Sequence, residues 1–448
     1  MKACNSRQLK PLAVCMSGFF SLLPLEATCI SRIVNNCADS GTGSLRDTVA
    51  ASNSGDVVDL GTSQLTCSLI TLTSGEIVVP QKELTVLGPS DRVVTIANDP
   101  NLGGPSNRIF NHTYVGSGGL LLISQLQLTN GKSWSYSSSS VGGCIRSGNV
   151  VVLMWSTVSG CSTYTNTGAN SKGGAIYALG GVYLFGSSVV GNYTYNVTGR
   201  SVGGGIFAHG KLYALRSTIS GNTTIARGVF ATQGGGAYLG LSTPFDLRYS
   251  TIDSNSADGG GGIYQVGSSS ASITSSTISG NVATAKGGGL QVDTGKLTIN
   301  NSTIAFNVAP NYAGIYTIGT HLYAYSSIIA RNLNTTAGGF ADVFISGGVA
   351  SFQGAANLVQ SYNVTPAQGT VTSNADPRLA PLANHGGPTR THAPLASSPV
   401  IDAGVNSGGL STDQRGPGFV REVPTGKPDI GAYERQVNDD ELFYNGFD

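Results

Sequence analysis

Charge is what this chain has least of. Only 11% of its 448 residues are Asp, Glu, Lys or Arg, against roughly 25% in an ordinary soluble domain. The formal charge is +1, and Lys2, Arg7, Lys10 and Glu26 contribute +2 of it, which leaves −1 for the rest. Such a surface has no electrostatic means of holding nucleic acid or an anionic membrane. Histidine is also scarce, at 5 residues, and His209, His321, His385 and His392 stand singly, without HExxH or HxH spacing, so no metal site is expected. None of the 7 cysteines forms a CxxC pair, which removes the usual zinc and redox motifs. Past the N-terminus no apolar run reaches the length of a membrane span.

The one long apolar run is "PLAVCMSGFFSLLPL" (Pro11–Leu25), preceded by Lys2, Arg7 and Lys10 and followed by "EATC". Charged, apolar, then small is the order of a secretory signal, taken as residues 1–27; the alternative is an N-terminal membrane anchor. An exported chain can keep disulfides. Cys37–Cys67 and Cys144–Cys161 are the favoured pairs, and free buried thiols are the alternative.

What the chain has in quantity is glycine, 63 residues, and a repeated line. "STISGN" stands at Ser217–Asn222 and again at Ser276–Asn281, with near-copies ending at Cys161, Asn192, Asn255, Asn307 and Asn332. The line-ending residues step by 31, 30, 33, 26, 26 and 25, a period that signals a solenoid. Three places before each ending stand Val158, Val189, Ile219, Ile252, Ile278 and Ile304; five places before stand Ser156, Ser187, Ser217, Ser250, Ser276 and Ser302. Apolar residues alternate with others, so these are strands with one buried face. A Gly-Gly block such as "GGAI" (Gly173–Ile176) precedes each line. The period is too short for propeller blades. The expected fold is all-β, a right-handed parallel β-helix of roughly eight to ten coils, with stacked Asn side chains bonding along a bend. A monomer is expected.

Exposed solenoid ends need caps. Ser44-Leu45-Arg46-Asp47 opens a short helix that can lid the first coils, within residues 28–120. The repeats fill 121–373. From about Asn374 the period stops and Pro, Gly and Asp rise, which reads as an irregular module (374–436) sealing the other end, before an acidic and aromatic tail (437–448).

"DSGTGSLRDTV" with "GDVVDL" resembles the opening of bacterial β-helix proteins of the pectin-lyase-like superfamily. "DPRLAPLANHGGPTRTHAPLASSPVIDAG", "DQRG" and "DIGAYE" resemble the choice-of-anchor Q domain, which implies export and a place outside the cell or at the outer membrane. The tail "NDDELFYNGFD" is similar to those of exported proteins of Xanthomonas-like bacteria, and the Gly-Gly-Ala-Ile block resembles the repeats of polymorphic outer membrane proteins.

Two function classes compete. A lyase or hydrolase of the pectate-lyase type needs carboxylates gathered around calcium and a basic residue. Its best candidates are Asp246, Arg248, Asp253 and Asp258, and Ca2+ is its only implied cofactor. The other class is a non-catalytic adhesin-like module that binds a polysaccharide or another cell-surface polymer. It draws on a column next to the inward Ile, namely Tyr177, Phe207, Tyr238, Tyr264 and Tyr316. That column points outward and offers rings for sugar stacking, or else the rings stack on one another.

Overall fold

The computed structural model describes residues 29–101, 106–229, 231–267, 269–347, 351–422 and 426–436. The expected signal peptide and the acidic tail lie outside the described residues.

The chain forms a parallel β-helix of about eleven turns. Among the described residues, sheets of 20, 12 and 9 strands run along its length, and a sheet of 3 short strands adds a fourth side between Ser140 and Val202. That fourth side accounts for the longer coils. The early turns through Ile70, Ile96 and Leu128 join the stack without the repeated line, which is why there are more turns than the line suggests. Apolar columns are in strict register: Val158, Val189, Ile219, Ile252, Ile278, Ile304 and Ile329 pair in succession. All of them are buried in one continuous core. Each side chain therefore packs against its copies above and below, and no coil is stable alone.

The two recurring polar letters of the line lie at the two corners that bracket the 12-strand sheet. At the first corner Ser187 N donates to Ser217 Oγ and Ser217 N to Ser250 Oγ, each at 3.1 Å. The column continues to Ser327, whose N–H donates to Asn357 Oδ1. At the second corner each Asn donates from both N–H and Nδ2 to the Oδ1 of the next. Asn222 reaches Asn255 at 2.9 Å by both routes, and the series ends at Asp342, which accepts from Asn332 Nδ2 at 2.7 Å. A buried bend leaves backbone groups without strand partners, and these ladders satisfy them. A third corner uses the Gly-Gly block. Gly173 has φ +63°, and a Cβ on Gly174 would lie 2.0 Å from Gly204 O, so neither position accepts a side chain.

At the front, a helix, Leu45–Ala50, buries Leu45 and Val49 in the core, and Ser44 Oγ accepts from Asp47 N. The structure links Cys37 to Cys67 and Cys144 to Cys161.

The C-terminal module is irregular, but its placement corrects the expectation that it seals the far end. It lies along the outer face of the 12-strand sheet. Thr389 bonds Tyr249 O, Gln414 bonds Thr277, His392 bonds Ser279, and Ala432 N donates to Thr303 Oγ1. Val400 and Ile430 pack on Ile328 and Leu358. The reason lies in the outward letters of the line: Thr and Ser from the coil of Thr218 to that of Thr303 give a hydroxyl surface on which Gln, Thr and His side chains can bond, and Ile328 and Leu358 give an apolar patch beyond it. The far end of the core is met by Val364 and Val371 instead.

Candidate functional site

The four residues offered for catalysis fall on three different sheets. Asp246 and Arg248 share a strand, Phe245–Arg248, of the 20-strand sheet; their side chains pair at 3.0 Å, and Lys211 stands 3.7 Å from Asp246. The bond to Asp246 holds the Arg248 guanidinium above its ordinary pKa. Asp253 belongs to the 12-strand sheet, where it is fully buried and accepts from Arg390 of the module at 2.5 Å and from Ser220 and Ser254 at 3.0 Å. Asp258 lies on the 9-strand sheet, bonded to Thr284 and to the N–H of Thr232. The chain bend that separates the sheets in every coil separates these residues too. Asp253 is a clamp for the module, not part of a carboxylate cluster. Among the described residues no group of three or more His, Cys, Asp or Glu side chains is placed to hold a metal ion.

The outward column of rings is in the expected register, and its rings face one another. Tyr177, Phe207, Tyr238 and Tyr264 stack at 5.1, 5.2 and 5.6 Å with interplanar angles of 14° or less. Gln291 interrupts the stack, and Tyr316 resumes it against Phe344. Phe207, Tyr264 and Tyr316 are buried, and burial raises the Tyr177, Tyr238 and Tyr264 hydroxyls above their ordinary pKa. A sugar needs a ring face, and these faces are occupied. Of the two readings of this column, the structure has the rings stacked on one another and not an open platform for sugar.

Exposed rings occur elsewhere, on the 9-strand sheet. Trp134, Tyr164, Tyr195 and Ile225 pair in register, and Tyr193 stands one column away beside Ser162 and Thr223. Trp134 is 40% exposed, Tyr136 60% and Tyr193 43%. Trp134 lies 5.4 Å from Tyr164 at 83°. The signal for this face was present in the spacing, since residues 134, 164 and 195 follow the coil period. A rule that looked only beside the Gly-Gly block passed over it.

Two grooves accompany these features. One, of about 460 Å3, is lined by the loop at Pro89–Val93, by Gln125–Gln127, Trp155 and Thr157. Another, of about 390 Å3, runs along the seam between the module and the 12-strand sheet, beside Arg390 and His392. Burial pushes the His392 imidazole down to about 4, so it is neutral where it bonds Ser279.

The module holds a compact ionic knot. Asp413 accepts from Arg415 Nε at 2.9 Å and from Glu434 N at 2.9 Å; Asp429 N donates to Glu434 Oε2 at 2.8 Å. The Arg415 guanidinium sits 3.9 Å from the ring of Phe419 and 3.6 Å from that of Tyr433. Arg421 is fully buried 3.8 Å from Glu434, and burial raises Glu434 to about 8. Apart from Phe419 and Arg421, these are residues of "DQRG" and "DIGAYE", so that motif is a folding device of the module.

No protein-family model matches the chain. No curated protein matches it either. Among solved structures, the crystal structure of pectate lyase Pel9A is similar over 91% of this chain and 96% of its own, with 10% sequence identity and a TM-score of 0.45. The parallel β-helix rests on the strand registers above, not on that likeness.

Proposed function

We propose that the protein is a non-catalytic module that binds a polysaccharide or another cell-surface polymer along its flank, working outside the cell or at the outer membrane. The observation that carries this reading is the exposed aromatic patch of Trp134 and Tyr193 on the 9-strand sheet, with Tyr136 just past the end of the Trp134 strand. Tyr164 and Tyr195 stack on each other at 5.3 Å, which leaves Trp134, Tyr136 and Tyr193 as the exposed rings, and rings on separate coils give a polymer more than one contact. The two disulfides support export, and the resemblance of the C-terminal motif to the choice-of-anchor Q domain supports retention at a surface. Sedimentation with insoluble polysaccharides tests the reading. The wild-type chain is expected to co-sediment, and the Trp134→Ala, Tyr193→Ala double variant, folded by circular dichroism, to remain in solution. Equal sedimentation of both would remove this face from the account.

One observation favours the lyase alternative. Arg248, Asp246, Lys211 and Tyr213 gather on the outward face of the 20-strand sheet. This group supplies a base but a single carboxylate, whereas calcium takes 6–8 oxygen ligands. Charge that is already paired is the weaker ground for catalysis.

A further inference from the structure

The groove at Trp155 lies on the part of the 12-strand flank that the C-terminal module leaves open. It is a groove of about 460 Å3 that opens widely to solvent. One wall is the Trp155 side chain, 49% exposed. The ring lies over Gly186 of the next coil, where an added Cβ would meet Trp155 Cδ1 at 2.8 Å, so the coil that follows has no side chain in the ring's place. The floor is Gln125, Gln127 and Thr157, and the opposite wall is the loop that carries Asp91 and Arg92.

An aromatic wall facing amides, a hydroxyl and a carboxylate is the chemistry of a sugar ring: an apolar C–H face on one side and hydroxyl edges around it. The charges narrow the class. Arg92 is committed to the protein, its Nη2 donating to Leu65 O at 2.8 Å while its Nη1 lies 3.6 Å from Asp91. Among the described residues the groove is lined by one cation, Arg92, and one exposed carboxylate, Asp91, and the two charges offset each other. With no net positive charge to hold it, a uronate carboxylate gains nothing there, whereas neutral hydroxyls would meet amide and hydroxyl partners. We propose that this groove is a saccharide slot that takes one neutral pyranose unit against Trp155. The proposal deepens the polymer-binding reading and rests on it for the source of the sugar.

The chain has 2 tryptophans, so Trp134→Phe leaves Trp155 as the only indole reporter. Fluorescence titration of the full chain carrying Trp134→Phe uses cellohexaose, xylohexaose, mannohexaose and hexagalacturonate. The expected result is a saturable change with at least one neutral hexasaccharide, with hexagalacturonate weaker by about tenfold or more and Asp91→Ala weakening the neutral ligand by about tenfold. No saturable change with any neutral hexasaccharide, or a preference for hexagalacturonate, would overturn the slot. Sedimentation of the wild-type chain separates the two readings. A chain that binds polymer while Trp155 stays silent loses only the slot. A chain that binds no polymer while Trp155 responds keeps the slot and loses the aromatic face.

Discussion

Between Ser156 and Asn332 a Ser recurs at every coil and an Asn at every coil but the first, where Cys161 stands, and the rungs join one coil to the next. Between Asp413 and Glu434 the module buries Asp413, Arg415, Arg421, Asp429 and Glu434 once each, and they are answered by one another and by nearby backbone. The first arrangement spreads its polar load over many equal rungs. The second concentrates it in a single knot. A lost rung leaves one buried N–H without its acceptor, as Asn222 N would be without Asn255, but a lost member of the knot leaves a buried charge uncompensated. The coils should therefore tolerate polar substitutions that the module does not, while both fail on charge in the core.

Variants in order of expected effect test that contrast. Ile278→Asp places an unpaired carboxylate in the fully buried column and should cost about 4 kcal/mol or more, read as lost soluble expression or a steep fall in thermal midpoint. Arg415→Ala leaves Asp413 buried without its partner and should cost the module about 3–5 kcal/mol. Hydrogen exchange should then rise in the module and not in the coils; a uniform rise would mean that the two regions unfold as one.

The ladder end gives a pH test. Burial raises Asp342 to about 7 from its usual 3.8, so the folded chain holds this proton more tightly than the unfolded chain. Its contribution is complete below about pH 4 and is lost as pH rises through about 7, a change on the order of a few kcal/mol. Asp342→Asn keeps an acceptor for Asn332 and cannot ionise, so its thermal midpoint should lose this alkaline fall. A parallel fall in both proteins would place the titration elsewhere. The smallest effects come last. Asn255→Ala breaks one rung and should cost about 1–2 kcal/mol, whereas Thr218→Ala, half-buried on the outer face of the flank, should stay within about 0.5 kcal/mol.

The fold was legible because a solenoid writes its registers into its sequence. The columns of Ile278 and Asn255 follow from counting alone, and the helix start at Ser44 follows from its capping residues. The placement of the module was not legible. Its contacts join residues about 140 apart, such as Thr389 with Tyr249 and Gln414 with Thr277, and no period relates them. Thr277 reads as an outward, solvated residue and is instead fully buried under the module. The site was legible in part. Alternation shows that Tyr238 points outward, but not that the next ring covers its face. Asp246, Asp253 and Asp258 are near in sequence, and only the corners of the coil show that they belong to three sheets.

The claim that this β-helix binds a polymer without cleaving it is tested most directly by size-exclusion chromatography of the bound polysaccharide after incubation with the chain, with and without calcium. The account predicts an unchanged polymer length and retained binding in both conditions. A calcium-dependent shortening that Arg248→Ala abolishes would contradict it and make the Asp246–Arg248 face a catalytic site.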